Sequence, residues 1–555
     1  MRIMEHHLEL PRTLPWLLSR GLWVVLALST AQFLYKLVTI RLKFRKLRTQ
    51  GIVSPCISTT RRKRKHCRLG AYLTYLIQTQ PVMEAHSFLF GHLLILRRLT
   101  GTLPSDIHPN YIPHLLASNW QSLFPGEDAC PGLIYADFWP LVEPLVYTID
   151  GAYTHQSLAE VQLPKSTHGM NFFHTLTEQK DLNCLEGAQW KVWRGLFATG
   201  FSQGRILALV PAMLEDLAVF RDKLVSRAGP GGSWGDVFPL QDLTRRLAVD
   251  VVGRAVLDLP LREQTYGVSP LFGALMDQVQ HSILLYNVLA LPRILSPVRN
   301  FKVWRNRRVM RSILAPLIRE KMESVRVRGS AGGKKTVLDL AIKGLEQERL
   351  SGSEDQIIDF VVAQLKLFLF GGYDTSSGTI CWCIHTVMKH PSVLARMRAE
   401  HDAVLGADPD AAEERLRAAP HLLNQLPYTT ACIKESTRLY SGFCVARNGT
   451  PDFSFAVPGS AVPWPTDGFT VYDGINAGQR WDKIWPRADE FIPDRFLVGP
   501  DHELAPPKHA WRLFGLGPRN CIAMDLAMVE IKLALALVIR ILDIDCAWEK
   551  WDALQ

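Results

Sequence analysis

Ten residues near the C-terminal end restrict the possible folds more than any other part of the sequence; they read FGLGPRNCIA, at positions 514–523. Two glycines let the backbone approach a flat ligand closely, and the proline stiffens the turn. Cys521 stands just before an apolar helical pattern, where peptide N–H groups are expected to lower the thiol pKa and stabilise a metal-binding thiolate. Arg519 is placed to meet an anionic group of that ligand. The segment predicts a cofactor-binding loop, since a dinucleotide-binding turn would need a third glycine where Asn520 stands.

The composition is that of a folded protein. Of the 555 residues, 47% are apolar and 21% are charged, which is enough to bury a substantial core. The ten cysteines include no C-x-x-C pair and no regular spacing, which argues against a disulfide framework and against a zinc site. The net charge of +10 is most concentrated after an N-terminal apolar run, so a membrane surface is the expected partner and nucleic acid is not.

Helical periodicity dominates the chain from about residue 103 onward. In stretches such as 206–225 and 355–370, apolar residues recur every three to four positions. Strand-like stretches are short and lie late, as in GFTVYDG after the turn residues PWPTD. The sequence therefore predicts a mainly α fold with a small β portion.

The N-terminal apolar run predicts a retained membrane anchor. Fifteen uncharged residues separate Arg20 from Lys36, and both cations can snorkel toward headgroups, so that flanking apolar residues extend the span. No small-residue cleavage site follows, which argues against a removed signal peptide. Cations are more numerous after the run than before it, so the bulk of the chain is expected to face the cytosol. We predict a lumenal N-terminus at 1–15 and a single transmembrane helix at 16–40; a buried helix of a soluble protein is the weaker alternative.

A basic linker is expected at 41–102, before a folded domain at 103–555. Within the linker, the block 53–80 contains RRKRKHCRLG and differs in character from its surroundings. A solvated loop, a lipid-binding patch and a nuclear signal are three interpretations of such a run. A further hypothesis is that the block is translated intron, because its removal joins QGI to PVMEAHSFLFGHL as a smooth linker.

A second chemical pattern, FLFGGYDTSSGTI at 368–380, lies inside a long helical stretch. Gly371 and Gly372 each cost roughly 1 kcal/mol in a helix interior, which is explained if the helix lies close to a flat cofactor. Asp374 and Thr375 follow at once, and an acid beside an alcohol is suited to passing protons. The alternative interpretation is that the two glycines only allow close helix packing and that the polar residues beside them have no chemical role.

Two further pairs of residues do not indicate a function when each pair is taken alone. Glu435 and Arg438, in KESTRLY, lie one helical turn apart, where a carboxylate and a guanidinium meet. Trp190 and Arg194, in QWKVWRGLF, share a helix face on which a ring and a cation together suit a carboxylate-bearing ligand. Packing or surface exposure explains each pair equally well.

Together these patterns resemble the cytochromes P-450, the haem-thiolate monooxygenases. Their haem-binding signature F-x-x-G-x-R-x-C-x-[GA] is matched by Phe514, Gly517, Arg519 and Cys521. Their oxygen-activation segment [AG]-G-x-[DE]-T-[TS] is matched across 371–376. The resemblance runs from Leu103 to Trp548 and includes the anchor that microsomal members carry.

The resemblance also interprets the isolated pairs. It joins Arg495, in DEFIPDRF, to Glu435 and Arg438 as a structural lock behind the haem. The propionate-binding residues that it implies are Trp190, Arg194, Arg447 and Arg519. Asp494 replaces the usual glutamate of the lock, which is a mild departure.

The fold implied by the resemblance is the cytochrome P-450 fold, preceded by the single transmembrane helix. The cofactor implied is haem b, held by Cys521 as a thiolate, with Asp374 and Thr375 relaying protons as dioxygen is split. Electrons are expected from NADPH through NADPH-cytochrome P-450 reductase, docked on the basic surface near the cysteine loop. One oxygen atom would enter an apolar small molecule at the endoplasmic reticulum membrane, with 103–555 as the cytosolic haem-thiolate catalytic domain.

The substrate is left open by the sequence. The chain is similar to fungal microsomal members that tailor secondary metabolites, in phrases such as ICWCIHTVMKHP. The alternatives are a fatty-acid, alkane or xenobiotic hydroxylase, a haem-thiolate isomerase or dehydratase, and a non-catalytic haem protein. RLYSGF lacks the usual pair of prolines and INAGQRWDKIWPRADEF lacks the usual H-R-D-P, which weakens any analogy of substrate. Candidate substrate contacts, by adjacency alone, are Phe368, Phe370, Tyr373 and the segment around Phe443.

Overall fold

A computed structural model describes residues 14–49, 83, 86–104, 107–125, 127–283, 290–328, 336–348, 353–442, 444–460 and 462–548. Within these ranges the chain is mainly helical with two small sheets, so the predicted fold class is confirmed. The block 53–80, with its intron hypothesis, and Phe443 lie outside the described residues.

The α-helices of the described residues are numbered here in chain order. They are α1 Leu14–Thr49, α2 Leu93–Thr100, α3 Ile112–Ser118, α4 Trp120–Leu123, α5 Gly151–His155, α6 Thr167–Thr177, α7 Gly187–Ala198, α8 Gln203–Val225, α9 Leu240–Leu257, α10 Glu263–Tyr266, α11 Pro270–Gln280, α12 Leu291–Leu295, α13 Pro297–Arg328, α14 Val337–Glu348, α15 Glu354–Met388, α16 Pro391–Leu405, α17 Ala412–Ala418, α18 Pro427–Leu439, α19 Ile475–Gly478 and α20 Met524–Val538.

The larger sheet joins strands from both halves of the chain. The strands are β1 Leu133–Ala136, β2 Leu145–Thr148, β3 Ala446–Asn448, β4 Ser454–Phe455, β5 Trp464–Pro465 and β6 Thr470–Asp473. Four of them form a sheet in the order β1-β2-β6-β3, in which β2 and β6 are parallel and the outer pairs are antiparallel. The pair β4 and β5 forms a separate antiparallel ribbon. The parallel pairing of β2 with β6 places the sheet beside the chain that leads to the cysteine loop.

Helix α15 is the central element of the fold. It begins with a capping box, in which the Ser353 hydroxyl accepts from the Gln356 N–H and the Gln356 side chain accepts from the Ser353 N–H. Its length and apolar composition would suit a membrane span, but more than half of its most apolar window is buried inside the protein. A Cβ on Gly372 would lie 2.4 Å from the Val252 side chain, so this glycine permits close packing of α15 on α9. The helix thus carries the pattern 371–376 into the protein interior.

A buried ionic cluster joins α18 to the turn at Pro493–Phe496. Arg438 donates to both carboxylate oxygens of Glu435, at 2.7 and 2.8 Å, and Arg495 donates to the same carboxylate at 3.1 Å. Three backbone carbonyls accept the other N–H groups of Arg438; they belong to Gln479, Ala488 and Glu490. A buried charge that is paired and hydrogen-bonded in this way is tolerated, whereas removal of one partner is strongly destabilising. The structure therefore places Glu435, Arg438 and Arg495 in one buried salt-bridge network.

Helix α1 has two different halves. Residues 23–36 are exposed and mostly apolar, and the stretch Trp23–Leu47 has the length and mean hydropathy, 1.5, of a candidate membrane span near the N-terminus. The helix continues without interruption to Thr49, so the first nine residues of the predicted linker are helical. Phe44 and Leu47 pack against a core cluster that contains the strands β1, β2 and β6. The end of the candidate span is therefore attached directly to the folded domain.

Candidate active site

The loop that contains Cys521 is closed by its own backbone. The Cys521 N–H donates to the carbonyl of Phe514 at 2.7 Å. Gly517 has φ +73°, and a Cβ there would lie 2.7 Å from the Cα of Ala159 and from the carbonyl oxygen of Leu158. Gly517 is therefore required both by the turn and by close packing against the helical turn at Gln156–Glu160.

Cys521 combines solvent exposure with close surrounding protein. Cys521 is the exposed member of the eight cysteines in the described ranges, yet protein surrounds it closely enough for burial to raise its pKa. A contact with the backbone of Ala523 and the charge of Arg194 oppose this rise without cancelling it. The backbone contact acts in the direction expected of the helix start, but in the polypeptide alone desolvation outweighs it. A cation bound at the sulfur would favour the thiolate instead.

Helix α15 presents an open, small-residue face in its otherwise buried middle. Built Cβ atoms on Gly371 and Gly378 meet no atom within 4 Å, and Asp374 and Thr375 are exposed beside them. The Thr375 hydroxyl donates to the Gly371 carbonyl at 2.7 Å, which fixes its position on this face. Gly372 does not belong to the open face, since it lies against α9. The helix can accept a flat group along this face.

Helix α7 connects the cysteine loop with α15. Arg194 donates to the side-chain oxygen of Asn520, next to Cys521, at 2.9 Å. On the same helix, Phe197 packs against Phe368 of α15 with ring centroids 5.2 Å apart. The loop and the central helix are thus held by a common element. Phe368, a candidate substrate contact, is accordingly a core residue.

A cation cluster lies beside the cysteine loop. It consists of Lys165, Arg447 and Arg519, and the carboxylate of Glu186 faces it. Burial and the charges of the two arginines lower the pKa of Lys165 to about 7, and burial with the charge of Arg519 lowers the pKa of Arg447 to about 10. Arg519 donates to Glu186 through Nη2 and stacks over the Trp190 ring at 4.2 Å, while its buried Nη1 has no partner. Positive charge exceeds negative charge here, which a ligand with two carboxylates would neutralise.

These features together fit a haem. Its two propionates match the excess positive charge of the cation cluster, and its flat face matches the open face of α15. The exposed Cys521 thiol supplies a soft anionic ligand for iron. The donor set and the charge therefore agree with the cofactor that the sequence implied.

Sequence reasoning missed several side chains that lie at this site. Lys165 follows a proline in a stretch without a recognisable pattern, and only the backbone bridge between Lys165 and Arg447 reveals it. Phe172 and Phe173 of α6 pack on Phe370, the residue before Gly371, with ring centroids 5.5 and 6.3 Å apart.

The other aromatic candidate, Tyr373, points elsewhere. It is buried against Phe272 of α11, with ring centroids 5.0 Å apart. Phe370 is thus the aromatic candidate that borders the open face.

Glu530 of α20 was also missed, although a lone glutamate in an apolar helical pattern is a visible signal. It is 3% exposed, and its Oε1 has no hydrogen-bond partner. Burial raises its pKa to about 8, with Ser376 of α15 and Asp216 of α8 as polar neighbours. A neutral carboxylic acid therefore braces the back of α15 at neutral pH.

Comparison with known proteins gives consistent matches. The family model described as Cytochrome P-450 matches residues 138–550. The chain is 33% identical to cytochrome P-450 monooxygenase polC of Polytolypa hystricis over 538 residues, which cover 95% of this chain and 87% of that relative. It is 30% identical to cytochrome P-450 monooxygenase acrF of Aspergillus aculeatus, covering 81% of this chain and 90% of the relative. It is 24% identical to cytochrome P-450 monooxygenase ptmG of Penicillium ochrochloron, covering 83% and 82%.

Proposed function

Because this chain belongs to the cytochrome P-450 family, we propose that it is a haem-thiolate monooxygenase of fungal secondary metabolism, acting on an apolar small molecule. The observation that carries the proposal is the pairing of the exposed Cys521 thiol with a cation cluster that its single carboxylate does not neutralise. The named monooxygenases among its relatives support the reaction class.

Cys521 would hold the haem iron through its sulfur, and the haem would supply the activation of dioxygen. The propionates would be held by Arg519, Arg447 and Arg194, with Trp190 as a packing surface for Arg519. Lys165 adds a fourth cation at the same edge. Phe514 and Gly517 shape the loop around the sulfur, and Gly371 would leave room for the haem on the open face of α15.

Asp374 and Thr375 are the proposed proton-handling residues. Both are exposed on the open face of α15. The Thr375 hydroxyl donates to the Gly371 carbonyl, so its oxygen is free to accept a hydrogen bond from solvent. Asp374 beside it can exchange protons with the same solvent, and the two side chains would relay a proton toward the bound oxygen substrate. Gly372 contributes indirectly, by permitting the tight packing that positions this turn.

The substrate is proposed to lie against an aromatic wall made by Phe172, Phe173 and Phe370. These rings come from α6 and α15 and border the open face. An apolar molecule would be favoured there because it buries aromatic surface without leaving polar groups unpaired.

Helix α1 is proposed to anchor the protein in the endoplasmic reticulum membrane, with the folded domain in the cytosol. The exposed apolar stretch that begins at Trp23 supports an anchor. The electron donor is proposed to be NADPH-cytochrome P-450 reductase, which shares that membrane. The domain division at 16–40, 41–102 and 103–555 is part of this proposal.

The haem-thiolate assignment is tested by the reduced carbon monoxide spectrum of the protein in microsomes. Wild type is expected to give the band of thiolate-ligated haem, and Cys521→Ala is expected to lose it. Cys546→Ala, at a partly exposed cysteine outside the loop, is the matched control and should keep the band. Persistence of the band in Cys521→Ala would show that another residue binds the iron.

The reaction class is tested by the dependence of turnover on NADPH and dioxygen. A monooxygenase requires both, together with the reductase, and consumes one of each per product. Turnover without NADPH would favour an isomerase or dehydratase and would overturn the monooxygenase proposal.

A further inference from the structure

The second half of α1 docks on the folded domain along one helical face. Leu37, Arg41, Phe44 and Leu47 recur at intervals of three or four residues and are at most 9% exposed. The Phe44 ring packs edge-on against Phe469, with ring centroids 5.7 Å apart. The docked half therefore belongs to the core of the domain rather than to a tether.

Arg41 joins α1 to two other segments of the domain, at 88–89 and 137–139, an arrangement called here the Arg41 clamp. Its Nη1 donates to the buried carboxylate of Asp137, at the end of β1. Its Nε donates to the Phe88 carbonyl at 3.0 Å, and its Nη2 donates to the carbonyls of Leu89 and Trp139 at 3.2 and 3.0 Å. A buried guanidinium that is paired and hydrogen-bonded on several sides is geometrically demanding, so the clamp fixes these segments relative to α1.

The segment that Arg41 holds ends in an exposed apolar tip, residues 88–90. The backbones of Ser87 and Gly91 pair across the turn, and Phe88, Leu89 and Phe90 are 55, 63 and 50% exposed. Three consecutive large apolar side chains on a surface indicate an interaction site. The tip is held against the domain, because the carbonyls of Phe88 and Leu89 accept from Arg41 and Gly91 packs closely on Asp137.

The tip continues the apolar surface of the candidate span. Helix α1 presents exposed apolar side chains from Trp23 to Tyr35. Arg41 does not interrupt the outer face, because its charge is buried and paired. Val38 and Leu42 remain 41 and 49% exposed on that face, so the apolar surface extends as far as the level of the tip.

We propose that the apolar tip and the outer face of α1 at Val38 and Leu42 are embedded in the cytosolic leaflet, and that the Arg41 clamp holds the catalytic domain at one tilt on the membrane. The occupant of this surface is a phospholipid bilayer, and the inference rests on the membrane anchoring by α1 proposed above. The exposed cations Arg97 and Arg98 at the end of α2 favour anionic headgroups beside the tip.

The test uses the full-length haem-loaded protein in vesicles of mixed zwitterionic and anionic phospholipid. A fluorescent amino acid is introduced at Leu89, and the matched control carries it at Tyr266, which is 77% exposed. Lipids with a nitroxide on the acyl chain quench a probe inside the bilayer, whereas iodide quenches a probe in water. The Leu89 probe is expected to be quenched by the lipid and protected from iodide, and the Tyr266 probe is expected to show the reverse.

Two contrary outcomes are distinguishable. If the protein sediments with vesicles but iodide quenches the Leu89 probe as strongly as the Tyr266 probe, the tip proposal is wrong and anchoring stands. If the protein does not sediment with vesicles at all, anchoring fails and the tip proposal fails with it.

The clamp is tested in the same vesicles by Arg41→Gln in the Leu89-labelled protein, with Arg41→Lys as the milder variant. Loss of lipid quenching, with sedimentation and the haem spectrum retained, is the expected result. Unchanged quenching in both variants would refute the role of the clamp in holding the tip.

Discussion

Replacing Glu530 by glutamine tests whether the central helix is braced by a neutral acid. The carboxyl is fully enclosed between α8, α15 and α20, and its burial raises the pKa from 4.5 to about 8. Between these two values the folded protein binds a proton that the unfolded chain has released. The free energy of unfolding of the wild type therefore falls as pH rises through this window, and the decline ends above pH 8.

The size of the effect follows from the two pKa values. At about 1.36 kcal/mol per pH unit, the difference between 4.5 and about 8 corresponds to about 5 kcal/mol over the full window. Between pH 6 and pH 9 the expected loss is about 3 kcal/mol, because part of the window lies below pH 6. Glutamine keeps the shape of the protonated acid and cannot ionise, so Glu530→Gln should gain about this much stability relative to the wild type over that range.

Guanidinium unfolding followed by tryptophan fluorescence, at several pH values between 6 and 9, measures this difference. Glu414→Gln, at an exposed position of α17, is the matched control and should run parallel to the wild type. A constant difference between wild type and Glu530→Gln across the range would refute the reasoning, since it would mean that Glu530 ionises alike in the folded and unfolded states.

Three further substitutions have defined outcomes. Arg438→Lys keeps a charge but loses the paired contacts with Glu435, so we expect a loss of roughly 3–5 kcal/mol in unfolding free energy; a loss below about 1 kcal/mol would contradict a stabilising salt-bridge network. Lys165→Met should speed the transfer of haem to an apo-globin acceptor, whereas Lys165→Arg should not, because only the methionine variant removes a cation that would bind a haem propionate. Equal transfer rates in the two variants would exclude a contact between Lys165 and a propionate. Thr375→Val keeps the shape of the side chain and removes the hydroxyl, so the amount of product per NADPH should fall and peroxide release should rise. Proton delivery contributes about 10²-fold or more to the rate of product formation. An unchanged ratio of product to NADPH would place the proton path elsewhere.

Several parts of the site could be predicted from the sequence because their chemistry is written in short, contiguous patterns. The loop 514–523 combines a turn, a cation and a thiol within ten residues, so no tertiary information is needed to recognise it. The same holds for the pair Asp374 and Thr375 beside Gly371. Such patterns can be recognised in a sequence because residues of one element that face the same ligand are close together in the chain.

The net direction of the Cys521 pKa shift could not be predicted from the sequence, for a related reason. Position before a helix is visible in the sequence and favours a thiolate, but the amount of protein that surrounds Cys521 is not visible. Desolvation depends on atoms contributed by distant segments, and it dominates.

By itself, the sequence determined the helical class, the cysteine loop, the pairing of Asp374 and Thr375 beside Gly371 and the apolar N-terminal helix, since each depends on local periodicity or on a contiguous motif. Tertiary structure alone decided that Lys165 joins Arg447, that Gly372 faces α9, that Glu530 is enclosed as a neutral acid, and that Arg41 ties the anchor to Asp137. These are contacts between segments far apart in the chain. Their energies depend on burial and on charge proximity in three dimensions, which no local pattern of residues encodes.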